Sequence, residues 1–247
     1  MKPLHSWFTL CTDPDAFQKV EKLTDFVKVS RTQSNKSEAL QAYSESVRYE
    51  DYDEDGEFTG SLMAPKYFGA CIEALAEVFF DTQGIRYNVA GYQSTDTMTE
   101  DQEDTGFDGT AFTNKAFEHK SWVATKNIKP GNPVFVQIKG VLNPKKEFMT
   151  NDGSRIMNFY GNAGGKATQL RQRYTSRFIL FTNAKGLHWK LNDNTFQEIE
   201  VINGTKIRKL VDNNPFFWNE FKQRLGLTVK APKGSWDKEV QDDLILA

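Results

Sequence analysis

Asp108 stands in the glycine-flanked turn Thr105-Gly106-Phe107-Asp108-Gly109. Downstream, the short apolar segment Val134-Phe135-Val136-Gln137-Ile138-Lys139-Gly140 ends on a glutamine and a lysine two positions apart. On a strand, side chains two apart share a face. An acid on one strand and Gln-x-Lys on the next can hold a divalent metal and an ammonium group around one phosphodiester. Hydrolysis of that bond needs an activated water and neutralised charge on the oxyanion and leaving group. A Mg²⁺ ion held by one or two carboxylates and water supplies both, with Mn²⁺ as the substitute ion. In this scheme Asp108 is the main ligand, Gln137 offers its amide oxygen and Ile138 its backbone carbonyl. Lys139 positions the water or stabilises the pentavalent transition state. Glu73 or Glu77, on an upstream helix, supplies a second carboxylate.

The chain contains a rival to this motif. Glu118-His119-Lys120 begins ten residues after Asp108, a shorter separation for two neighbouring strands, and its glutamate is the better metal ligand. Its flanks, Thr113-Asn114-Lys115-Ala116-Phe117 and Ser121-Trp122, are less apolar than Val134-Phe135-Val136, which favours Gln137 and Lys139. Spacing alone is unspecific, because a lysine at a strand end is often a surface residue and an aspartate beside glycine often caps a turn.

The elements that must carry these residues follow from periodicity. Pro65 opens the clearest helix, 65–81, in which Phe68, Ile72, Leu75, Ala76 and Phe79 form one apolar stripe. Strands are predicted at Ile85–Ala90, Phe107–Thr113, Val134–Gly140, Arg177–Thr182, His188–Leu191 and Gln197–Ile202. Gly164 and Gly165 precede a basic helix over Ala167–Arg177, and helices over Lys206–Val211 and Pro215–Leu225 close the pattern. Upstream, Phe17, Val20, Leu23, Phe26 and Val27 predict a helix within Asp15–Ser30, and the acidic stretch 31–60 reads as a loop or linker. The order predicts an α/β fold with a mixed central sheet flanked by helices. The organisation expected is an N-terminal helical and acidic extension (1–60), a catalytic domain (61–228) and a C-terminal tail (229–247).

At 247 residues the chain can bury one sizeable core. No apolar run approaches the roughly 18 residues of a membrane span, and the first residues show no signal peptide. Cys11 and Cys71 form neither a CxxC nor a zinc framework, so a reducing cytoplasmic compartment is expected. The net charge of -2 hides an asymmetry. Residues 1–114 carry 9 Lys/Arg against 21 Asp/Glu, and residues 115–230 carry 20 against 8. A basic segment of that size attracts polyanions. Lys166, Arg171, Arg173 and Arg177 are the candidate DNA-backbone contacts.

Several weaker signals carry little. Asp51-x-Asp53-x-Asp55-Gly56 opens like a calcium loop, but Leu62 stands where the bidentate glutamate belongs. Gly161-x-x-Gly164-Gly165-Lys166 has the wrong spacing for a P-loop, and Ala167 replaces the Mg²⁺-holding hydroxyl. Its helix N-terminus could still rest against a DNA phosphate. His5, His119 and His188 lack metal-ligand spacing, and Trp189, Trp218 and the phenylalanines of 216–221 are expected in the core.

Taken in order, these segments resemble Mrr-like restriction nucleases. Ile72-Glu73-Ala74-Leu75-Ala76-Glu77-Val78-Phe79-Phe80, then Gly84, resembles their opening helix, with Glu73 at the recurrent glutamate. Asp104-Thr105-Gly106-Phe107-Asp108-Gly109 is similar to their D-x-G-[IF]-D-G turn. Val136-Gln137-Ile138-Lys139 is similar to their V-Q-x-K strand, a glutamine variant of PD-(D/E)XK. Leu180-Phe181-Thr182-Asn183-Ala184-Lys185-Gly186 resembles their next strand, and Asn213-Asn214-Pro215-Phe216-Phe217-Trp218 a closing helix of phage-borne members. Together these segments cover about residues 65–226. The resemblance implies a restriction-endonuclease-like fold and Mg²⁺-dependent endonucleolytic cleavage of DNA, with double-stranded DNA the expected substrate and a homodimer a candidate assembly, in restriction, phage conflict or DNA processing. A neutral glutamine leaves metal affinity leaning on Asp108 and Glu73. Residues 1–60 have no counterpart in that pattern. Two other functions use the same parts: a DNA-binding module that has lost its metal, and a Holliday-junction resolvase.

Overall fold

The computed structural model describes residues 4, 11–46, 52–61, 63–82, 85–89, 109–113, 133–145, 147, 161, 177–187 and 199–229. For 46, 85–89, 109–113, 133–134 and 177 it describes the backbone alone. Five strands form one sheet in the order β1 (Ile85–Val89), β2 (Gly109–Thr113), β3 (Pro133–Lys139), β4 (Arg177–Thr182) and β5 (Ile199–Ile202). The β1/β2 and β2/β3 pairs are antiparallel, and the β3/β4 and β4/β5 pairs are parallel. This is the mixed α/β sheet that the order of elements predicts.

Strands at the parallel centre are buried on both faces, which is why β3 and β4 read as continuous apolar runs. Val136, Ile138, Ile179, Phe181 and Ile202 point into the main core. On the other face Phe135 stacks on Phe178 with centroids 5.9 Å apart, and Leu180 is also buried.

Helix α3 (Met63–Thr82) lies on the main-core face. Its expected stripe is buried throughout, and Phe79 and Phe80 pack on Phe181 at 5.2 and 5.7 Å. Burial runs beyond one stripe, with almost every residue from Ala70 to Phe80 enclosed. The cause is a second layer behind it: α1 (Leu23–Gln33), α2 (Ser37–Ser46) and α5 (Pro215–Arg224) all contact α3. Helix α4 (Gly204–Val211) joins β5 to this layer. Residues 17–43 therefore share one hydrophobic core with the sheet, through Phe17, Phe26, Leu40 and Tyr43.

Two differences from the periodicity argument lie in this layer. Asp15–Ser30 is not one helix. Asp13 caps a short 3-10 turn, Pro14–Phe17, by accepting from the Asp15 amide. The α-helix begins at Leu23, whose amide donates to Asp212 Oδ1 at 2.8 Å. The cap thus comes from 189 residues away in the chain. Within the expected loop 31–60, α2 forms because Ala39, Leu40 and Tyr43 supply a short buried stripe. In the acidic run, Asp53 Oδ1 accepts from the amides of Asp55 and Glu57, so this carboxylate closes a turn.

The expected strand His188–Leu191 and the tail beyond residue 229 lie outside the described residues. So does the expected basic helix, except that Arg177 opens β4. Among the described residues no helix is long and apolar enough to cross a membrane.

Candidate active site at the carboxyl end of β3

The residues singled out for chemistry fall into three groups. Gln137, Ile138 and Lys139 lie at the carboxyl end of β3. Gln137 is 5% exposed and Lys139 is half-buried. Pleating puts Gln137 and Lys139 on the Phe135 face, while Ile138 enters the core beneath α3. Glu73 belongs to α3. The remaining residues, Asp108, Glu118, Lys120, Lys166, Arg171 and Arg173, lie outside the described residues, as does the side chain of Arg177.

Gly109 is opposite Val136, and β2 begins there. Gln137, Ile138 and Lys139 continue past that point, paired on the other side with Leu180, Phe181 and Thr182 of β4. Asp108 precedes Gly109 in sequence and lies outside the described residues. Thr113, which leads toward Glu118 and Lys120, is at the far end of β2, next to Ile85 of β1.

Helix α3 reaches the same end of the sheet from the core side. A Cβ on Gly140 would lie 2.9 Å from Ile72 Cγ1 and 3.2 Å from the Phe68 ring. Only a glycine immediately after Lys139 allows this approach. Glu73 is the next residue along α3. It is half-buried with Oε2 shielded from solvent, whereas Glu77 is buried at 2% exposure. Of the two carboxylates left open by the sequence, Glu73 is therefore the less enclosed. Its charge is felt on the helical side. Burial first, and then Glu73, pushes the Tyr43 phenol up. Burial dominates the upward shift of the Cys71 thiol, with Glu73 adding to it.

Beyond Lys139 the chain is held by a residue to which the sequence assigned no role. Asn183 Nδ2 donates to the Val141 carbonyl at 2.8 Å, and Asn183 Oδ1 accepts from the Val141 amide at 2.7 Å. The side chain thus acts as a strand partner and extends the β3 pairing past its last ladder residue. The backbone next to it is also engaged. Thr182 Oγ1 accepts from the Ala184 amide, and the Ala184 carbonyl accepts from Gly204 at the start of α4. The Thr182-Asn183-Ala184 stretch was legible as part of a resemblance, but the contact with Val141 spans 42 residues and leaves no local signature.

Together the described parts form the carboxyl end of a parallel strand pair, where open α/β sheets hold their ligands. Carboxylate, amide and carbonyl oxygens are hard donors of the kind that suit Mg²⁺ rather than a thiophilic metal. Gln137 and the Ile138 carbonyl stand at this strand end, and Glu73 is on the helix that packs against the opposite face of the sheet. Among the described residues no three His, Cys, Asp or Glu side chains gather.

No family model and no curated protein sequence matches the chain. Among solved structures, it is similar to the MspJI restriction endonuclease in complex with a 27-mer oligonucleotide. The identity is 15% and the TM-score 0.32. The match covers 68% of this chain, which spans about a third of that one (33%). A likeness at that score carries no argument about the present site.

Proposed function

We propose that the protein is a Mg²⁺-dependent DNA endonuclease with a restriction-endonuclease-like core and an active site made of Asp108, Glu73, Gln137 and Lys139. The observation that carries this reading is the register of β2 on β3. It sets Gly109, the residue that follows Asp108 in sequence, opposite Val136, which supports joining the acid of the Asp-Gly turn with the Gln-x-Lys end of β3. The same register argues against Glu118 and Lys120, which follow the opposite end of β2.

In this reading Asp108, Glu73, the Gln137 amide oxygen and the Ile138 carbonyl hold Mg²⁺, and Mn²⁺ can replace it. When bound, the ion activates the attacking water and draws charge from the scissile phosphate. Lys139, on the same face as Gln137, donates to the water or to a phosphate oxygen as negative charge builds there. Gln137 is buried at this strand end, and the close approach of α3 to Gly140, at Ile72 next to Glu73, supports a part for Glu73 in the site. The substrate is double-stranded DNA, and the setting is restriction or phage conflict in a bacterial cytoplasm. Lys166, Arg171, Arg173 and Arg177 grip the backbone. A homodimer would suit cleavage of both strands.

The test is conversion of supercoiled plasmid to nicked and linear forms with Mg²⁺, Mn²⁺ or EDTA. Cleavage should require metal and be lost in Asp108→Ala. Lys139→Ala should slow it on the order of 100-fold or more, while Lys120→Ala should leave it unchanged. The reverse pattern for the two lysines would move the site to Glu118. Metal-independent binding with no cleavage would make the protein a binding module. Preference for four-way junctions over linear duplex would make it a resolvase.

A further inference from the structure

Helix α1 presents a polar face to a groove of about 450 Å³ lined by Thr24, Val27, Lys28, Arg31, Thr32 and Asn35, with Pro144 opposite. The helical residues follow the spacing of a single face, i, i+3, i+4, i+7, i+8 and i+11. The opposite face of α1, with Leu23, Phe26 and Ser30, is sunk in the core, so the groove rests on a rigid wall. Pro144 belongs to the segment that leaves β3 after Lys139 and is pinned at Val141 by Asn183. The groove therefore opens at the same end of the sheet as the candidate site.

Its charge is unbalanced. Lys28 and Arg31 are exposed and make no ion pair among the described residues, whereas Lys36 on the adjoining turn is 3.9 Å from Asp13. Lys145, next to Pro144, is exposed as well. Asp25 is on α1 but is not among the lining residues. Two cations, the Thr24 hydroxyl and the Asn35 amide along one edge match a run of phosphate oxygens, while the Thr32 hydroxyl is already donated to the Lys28 carbonyl. The groove lies within the half of the chain whose net charge is acidic, so these cations are a local exception to it.

We infer that this groove is a track for the sugar–phosphate backbone of the nucleic-acid substrate, carrying the strand that flanks the scissile bond away from the carboxyl end of β3. Lys28 and Arg31 neutralise successive phosphates, and Thr24 and Asn35 fix the register. The inference rests on the nuclease reading, and it gives the N-terminal helices a role in holding substrate.

The test is binding of a short fluorescent DNA duplex to the full chain in EDTA, so that cleavage does not interfere. It compares wild type, Lys28→Gln/Arg31→Gln and Lys139→Ala over about 50 to 200 mM salt. Each lost phosphate contact lowers the slope of log K on log salt by about 0.9. The double variant should therefore show a slope shallower by about 1.8, with affinity reduced at least tenfold near 0.1 M salt. Lys139→Ala should keep the wild-type slope to within about one contact. A double variant that binds with wild-type affinity and slope, while wild type cleaves, overturns the track and leaves the nuclease reading intact. Wild type that binds but never cleaves with metal, with binding weakened in the double variant, overturns the nuclease reading and keeps the track. Wild type that neither binds nor cleaves overturns both.

Discussion

Phe26 packs against three other rings: Phe17 at 5.6 Å, Trp218 at 6.2 Å and Phe221 at 5.4 Å. Lys139, at the carboxyl end of β3, has neighbours of a different kind. The residue after it is a glycine in tight contact with Ile72, and the residue after that is gripped by one asparagine side chain. In the aromatic layer many weak, non-directional contacts share the load, and any one ring is backed by others. At the end of β3, position depends on one missing Cβ and two hydrogen bonds. The first region decides whether the chain folds, and the second decides where a few polar atoms stand.

The largest expected effect on stability comes from the first region. Phe26→Ala should cost about 3–5 kcal/mol, the range for deleting a fully buried ring. Below its lowered melting temperature, the folded fraction should cleave DNA at close to the wild-type rate. Chemical denaturation and specific activity measured on the same sample check both halves. A variant with normal stability and reduced activity would mean that the layer sets the site directly, and the division between the regions would fail.

Gly140→Ala sharpens the comparison from the other side. The added methyl would sit 2.9 Å from Ile72 Cγ1, and Ile72 is fully buried, so α3 or β3 must shift. Overpacking of this kind costs about 1–3 kcal/mol. The activity loss should be larger than that cost alone explains, because a displacement near 1 Å at a reacting centre can cost about 100-fold. Pairing the change with Ile72→Ala, which removes Cγ1, should relieve the clash and restore part of the activity. An activity loss no larger than the loss of folded protein would show that Gly140 acts on packing only.

The two regions also differed in how far the sequence exposed them. The β3 and β4 runs, the α3 stripe and the Asn214-Pro215 start of α5 are local patterns. They were legible because burial and capping there depend on residues a few positions apart. Asn214 does accept from the Phe217 amide as such a cap should. Long-range contacts left no such trace. The start of α1 is decided by Asp212, and the end of β3 by Asn183. Helix α2 was hidden because its inward face is short, with Ala39, Leu40 and Tyr43 its buried apolar residues beside a buried Ser44, and its other residues have the polar composition of a loop. Gln137 and Lys139 could be assigned to one face from pleating alone, but choosing between Glu73 and Glu77 required knowing how deeply α3 is enclosed.

The smallest effect expected is at Asn183, and it is the most informative about division of labour. Asn183→Ala removes both bonds to Val141, leaving an amide and a carbonyl to find other partners. An unsatisfied backbone group costs about 1–3 kcal/mol when buried. Val141 is only half-buried, so water can replace the lost partner and the cost should fall near the lower end. Asn183→Asp keeps the acceptor for the Val141 amide but sets a carboxylate oxygen against the Val141 carbonyl. It should therefore be worse than alanine, despite its similar shape. If the clamp serves only the fold, both variants should lower stability in proportion and leave cleavage by the folded protein unchanged. If it positions the end of β3, kcat should fall in both while KM for DNA stays near wild type, because phosphate contacts elsewhere still bind the substrate. Gln137 and Lys139 lie directly upstream of the clamped residue on a rigid strand, and that connection favours the second outcome.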